Sequence, residues 1–183
     1  MITIQHCKTG IAIAALFAAS GAFAGTMNKT DYSAAKDRIS ADYKADKAVC
    51  EKYSANQKDV CQEQAKGKEN VALAELEYSD SGKASDANKV AVAKADASYA
   101  VAKEMCDDKG GNAKDVCVTE AKAAHTKALA DAKLGKKIGE AKMDAADDKR
   151  DADYKVATEK CDSLAGDAKA ACISAAKARY KKS

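Results

Sequence analysis

The stretch that decides the fold is Ala41–Lys66, ADYKADKAVCEKYSANQKDVCQEQAK. It returns twice, as Ala95–Lys122, ADASYAVAKEMCDDKGGNAKDVCVTEAK, and as Arg150–Lys177, RDADYKVATEKCDSLAGDAKAACISAAK. The cysteines fall as Cys50/Cys61, Cys106/Cys117 and Cys161/Cys172, ten residues inside each pair and 55 or 56 residues between pairs. Repetition of spacing and flanking text together marks one supersecondary unit used three times.

The ten intervening residues read as a turn between helices. Six positions after each first cysteine stands a residue suited to start a helix, Asn56, Asn112 or Asp167, which we expect to be the N-cap. Asp59 and Asp115 follow where a carboxylate favours the positive end of a helix. The residue before each cap is Ala55, Gly111 or Gly166, and glycine suits the left-handed position beyond a helix end. So short a connection makes the helices antiparallel neighbours. Seven residues before each first cysteine stands Tyr43, Tyr99 or Tyr154, on the cysteine's face two turns earlier. After each second cysteine that face is mostly alanine, as at Ala65, Ala121 and Ala176, which lets two backbones approach closely. Close approach is what a disulfide needs.

The predicted fold is therefore all-α, with no sheet: three disulfide-stapled antiparallel hairpins, elongated or loosely bundled through coiled-coil-like seams. We place them at residues 25–84, 85–139 and 140–183. Ser79–Asp86 reads as a loop closed by a cap. Gly135-Lys-Lys-Ile-Gly139 is a weaker break, because two glycines weaken a helix without stopping it. The sequence leans toward one long helix running through it, straight or kinked, with a compact bundle of about six helices as the alternative.

Composition bounds the function. Residues 1–24 have a short basic start, an apolar run Ile11–Ala18 and small residues up to Ala24-Gly25, the pattern of a signal peptide cleaved after Ala24. Cys7 precedes the apolar run, so a lipid anchor is not indicated. The rest has no segment apolar enough to span a bilayer, and we expect a mature chain in the periplasm or secreted, not inserted in the membrane. Charged residues make up 32% of the chain, Pro and Trp are absent, and net charge is only +3, with Lys and Asp interleaved. Without a basic stripe nothing points to nucleic acid. In the mature part only about one residue in nine is Leu, Ile, Val or Phe, so the helices must meet through thin, alanine-rich seams.

That thinness explains the cysteines. Oxidising compartments use disulfides where a core is poor, and each short loop closed is worth about 3 kcal/mol. We pair them within each copy: 50–61, 106–117 and 161–172. Zinc sites use closely spaced ligand pairs, often with His, and redox catalysis uses Cys-x-x-Cys; neither is present. The mature chain has one histidine, His125, which reads as packed or solvated. Asp107-Asp108 and Asp144, Asp147, Asp148 and Asp151 lack a calcium-loop pattern. Pairs such as Asp147/Arg150 and Asp151/Lys155 instead suit a solvated helix face. With no catalytic motif in view, we expect no enzyme, metal or cofactor.

The Ala/Lys/Asp-rich stretch Glu120–Lys133 and its continuation Lys149–Ala157 resemble the long helix of TolA-like cell-envelope proteins. The chain as a whole is similar to small exported proteobacterial proteins often given that label. Its N-terminus reads as cleavable rather than anchoring, and no globular C-terminal domain follows the third repeat, so the energy-transducing role of TolA is not carried over. The end, Ala178-Arg-Tyr-Lys-Lys-Ser183, is similar to murein lipoprotein, a family joined to peptidoglycan through a final Lys where this chain has Ser183. The resemblance implies an envelope structural or interaction protein, with an envelope or peptidoglycan-associated partner. A periplasmic stress-related holdase is the alternative, and metal or small-ligand binding a third class.

Overall fold

The computed structural model describes residues 27–182. The proposed signal peptide, Cys7 and the Ala24–Gly25 cleavage point lie outside them. Five helices follow in order: α1 (Lys29–Cys50), α2 (Ala55–Ser81), α3 (Ala84–Cys106), α4 (Gly111–Cys161) and α5 (Gly166–Tyr180), and there is no strand among the described residues. Each helix packs only against its neighbours in sequence, α1 on α2, α2 on α3, α3 on α4 and α4 on α5. The molecule is a serial, one-layer zigzag with alternating helix directions.

All three disulfides form within their repeats, with Cα–Cα distances of 5.5, 5.7 and 5.7 Å. They do more than cross-link. The buried apolar residues are Cys50, Cys106 and Cys161, four alanines (Ala65, Ala95, Ala132 and Ala176) and one leucine, Leu76. A core of cystine and alanine buries little area per residue, so covalent closure supplies much of what large side chains supply elsewhere.

Residues Asn56, Asn112 and Asp167 do not cap. The N-caps are Ser54, Gly110 and Ala165, none with a side-chain capping bond, and the expected cap residues sit inside the first turn. What starts each second helix is a left-handed residue, Ala55 at φ 48°, Gly111 at 53° and Gly166 at 55°. The turn bends through backbone conformation rather than through a capping side chain. Alanine meets a steric penalty in that region where glycine does not, so the first repeat carries strain that the other two avoid.

The expected loop Ser79–Asp86 shrinks to Gly82-Lys83. α2 continues to Ser81, and Gly82 ends it at φ 64°, with its N–H donating to the Tyr78 carbonyl. Asp86 lies in the first turn of α3, buried, accepting from Ser81 Oγ at 2.5 Å and pairing with Lys89 at 3.0 Å. The Ser81 hydroxyl, with the Lys89 ammonium next, holds the Asp86 carboxyl below its ordinary range.

Helix α4 runs unbroken for 51 residues through Gly135 and Gly139, about 75 Å at 1.5 Å per residue. The boundary drawn at 139/140 therefore falls inside a helix that two repeats share. Cys117, Ala128, Gly139, Arg150 and Cys161 recur along it at eleven-residue intervals. Eleven residues are close to three turns, so this face stays on one side of the rod. α3 is bonded to its start through Cys117 and α5 to its end through Cys161. Between the two stretches, residues 140–149 are all exposed. This span of about 15 Å buries no residue, and only Met143 reaches a groove shared with α2 and α3.

Candidate functional site

Three places gather side chains that the sequence or the fold singles out. The first is the seam of each hairpin. Tyr43, Tyr99 and Tyr154 are half-buried there, each facing the residue eight positions past the second cysteine of its repeat. Tyr99 stacks on His125 with ring centroids 4.7 Å apart, and Tyr154 meets Tyr180 edge-on at 6.2 Å. Tyr43 shares a groove with Glu69, and Lys47 lies 5.6 Å over its ring. His125 Nε2 lies 2.6 Å from Asp96 Oδ1, so α3 supplies the aromatic face and the carboxylate and α4 the imidazole. A carboxylate-oriented imidazole is two-thirds of a hydrolytic triad; Ser98 lines the same groove, but among the described residues the side-chain bond of His125 is to Asp96 and not to that hydroxyl. The arrangement ties α3 to α4.

The second place is the end of the molecule where the first two turns stand side by side. Asn56 Nδ2 donates to the Glu104 carbonyl of α3 at 2.9 Å, which joins the two tips. A cleft of about 410 Å³ opens there beside the Cys50–Cys61 bridge, walled by Val49, Tyr53, Val60 and Met105 over Gln57 and Gln64. Val49, Tyr53 and Met105 are 46%, 48% and 56% exposed, which makes this an exposed apolar cluster. Asp46 and Lys68, paired at 3.0 Å, lie at its edge. The third turn sits alone at the far end of α4.

The third place is a larger groove, about 690 Å³, at the foot of the α3–α4 seam. Ala84, Ala87, Ala132 and Gly139 make its floor, and Tyr78 and Met143 its rims. Gly139 sits at a close approach, because a Cβ there would lie 3.2 Å from Ala84 Cβ, a tight contact.

No protein-family model, curated protein or solved structure matches the chain. The geometry therefore stands on its own. Among the described residues there is no group of three or more His, Cys, Asp or Glu able to hold a metal ion, and no helix long and apolar enough to cross a membrane.

One recurring device escaped the sequence reading. The acid after each first cysteine pairs with a lysine seven residues on: Glu51–Lys58 at 2.7 Å, Asp107–Lys114 at 2.9 Å and Asp162–Lys169 at 2.8 Å. Each pair straddles a turn, and the Lys114 ammonium lowers the Asp107 carboxyl below its usual range. The threefold recurrence of acid and lysine at fixed distance was the available signal. Of the expected surface pairs, Asp147–Arg150 forms at 2.6 Å. Asp151 turns instead to Lys182 of the C-terminal tail, which lowers its carboxyl in the same way.

Proposed function

We propose that the mature chain is a non-enzymatic helical structural or protein-interaction element of the cell envelope, acting in the periplasm or outside the cell. The observation that carries this reading is the form of the molecule: a one-layer array with a cystine-and-alanine core, arranged along a 51-residue rod. Such a body offers long faces and fixed separations rather than an enclosed chamber. Dependence on three disulfides is compatible with an oxidising compartment. The TolA-like resemblance supports the same reading, and an envelope or peptidoglycan-associated partner follows from it.

The test is fractionation combined with photo-crosslinking in living cells from an exposed position on the bare span, such as Ala145. We expect a mature chain beginning at Gly25 in the periplasmic fraction and discrete adducts of fixed mass. A cytoplasmic, uncleaved chain without adducts would overturn the reading.

A second reading, a periplasmic holdase, is favoured by the exposed Val49, Tyr53 and Met105 around the cleft beside the first disulfide. Suppression of the aggregation of a denatured client would support it, and loss of that protection in Tyr53→Ser would place it at this cleft.

A further inference from the structure

The repeat has a consequence at its two ends. Adding 111 to a residue number carries α2 onto α5, Cys61 onto Cys172. Subtracting 56 carries α3 onto α1, Cys106 onto Cys50. Within the chain, α2 and α3 meet through a defined register in which Asn56 reaches Glu104 and Gly67 packs against Ala97. The counterparts are Asp167 and Ala178 on α5, and Ala48 and Ala41 on α1. All four are exposed, and no helix of this chain covers them.

We propose that the outer faces of α5 and α1 are the two halves of a head-to-tail contact between copies of this chain, made in the register in which α2 meets α3 inside one copy. It deepens the interaction reading above by naming the partner as the chain itself.

Charge complementarity supports that register. Lys68 and Ser98 line one groove of the α2–α3 pair, and their counterparts are Arg179 and Asp42. The same shifts set Lys182 of one copy near Asp37 of the next, and Asp167 near Lys52. Asp37, Asp42, Lys52, Asp167 and Arg179 have no ion pair within the chain among the described residues, while the turn-straddling acids and lysines do. Arg38 is the like-charged neighbour, and Asp151 already engages the Lys182 it would face.

The contact is weaker than its internal parent. Ala171 and Ala45 stand where the internal pair has Val60 and Val101, and α5 is only 15 residues long. Association is therefore reversible and rises with concentration. A heterologous contact leaves a free α1 at one end and a free α5 at the other, so it grows chains rather than closing a dimer.

Two populations of the mature chain test it, one with Ala41→Cys and one with Ala178→Cys, mixed and treated with a short bis-maleimide; all six native cysteines of the mature chain are bonded in the structure. We expect a mixed 41–178 dimer several-fold more abundant than a 41–163 adduct made with Ser163→Cys, and a ladder from the double variant. Arg179→Asp should lower the yield several-fold, and Asp42→Arg added in the partner population should restore it. Symmetric 41–41 adducts in excess, a 41–178 yield equal to the 163 control, or indifference to the charge swap would each overturn the proposal. Any of these would leave binding to a different envelope protein, and so the broader reading, intact.

Discussion

The α2–α3 pair and the α4–α5 pair solve the same packing problem in opposite ways. α2–α3 has no disulfide. It is held by two long helices of 27 and 23 residues, by the close passage of Gly67 under Ala97, and by the Ser81 and Lys89 contacts to buried Asp86 at its turn. α4–α5 has a disulfide and little else: α5 has 15 residues, buries only Ala176, and touches one neighbour. An isolated helix of that length is marginal in water. In these two pairs the staple stands where packing is thin, and long helices with a tight backbone approach suffice where it is absent; α3–α4 has both a disulfide and an extended seam.

The largest expected effect follows directly. Replacing Cys161 and Cys172 by Ala should cost the third hairpin about 3 kcal/mol and release α5, while α2–α3 stays folded. Hydrogen exchange should show α5 amides unprotected and those of residues 67–81 unchanged. Equal loss of protection in both places would mean that the two pairs are one cooperative unit.

Glycine substitutions sharpen the contrast from the packing side. Gly67→Ala places a Cβ 2.7 Å from Ala97 Cβ and should destabilise the chain by about 1–3 kcal/mol in denaturant unfolding. Gly135→Ala meets open space in a continuous helix and should stabilise it by about 1 kcal/mol. A loss of stability at position 135 would argue against an exposed, unbroken helix there. Smaller again is Ala55→Gly, which gives the first repeat the residue its siblings carry at the left-handed position. We expect a gain of about 0.5–1 kcal/mol, seen as a higher midpoint in urea.

The smallest effect is in acid. Asp86, Asp107 and Asp151 are all held below the ordinary carboxylate range by their partners. A depressed folded value contributes stability that is present above the unfolded value, about 3.9, and lost as pH falls through the folded one. Amide shifts of Ser81–Lys89 should be flat from pH 7 to 5 and move only below about pH 4. A transition centred above pH 5 would contradict the assignment.

The hairpins, their pairing and the seam tyrosines were legible in the sequence because one signal was written three times. Cysteine spacing fixed the pairing, and Tyr43, Tyr99 and Tyr154 marked the buried face. The turns were legible in position but not in mechanism. Asn56 has the chemistry of a cap, yet the left-handed residue before it sets the bend, and its amide is free to reach Glu104. The α2–α3 turn misled for a similar reason. Ser79, Ser81 and Asp86 are loop-forming residues, but Asp86 is claimed by Ser81 and Lys89 inside α3. Gly135 and Gly139 left the long helix undecided. Their intrinsic cost is about 1 kcal/mol each, and nothing local reveals that Gly139 lies at the close approach of Ala84. The clefts at the two ends of α2–α3 were not legible, since each depends on which hairpins lie side by side.

A distance along α4 tests the whole arrangement most directly. Spin labels carried on unnatural side chains at Lys122 and Glu159, both exposed, are separated by 37 residues of continuous helix. Double electron–electron resonance on the oxidised chain should give one narrow distribution near 55 Å. A broad distribution, or one centred below about 40 Å, would mean that the rod folds back at Gly135–Gly139 and that the hairpins bundle instead of standing in line.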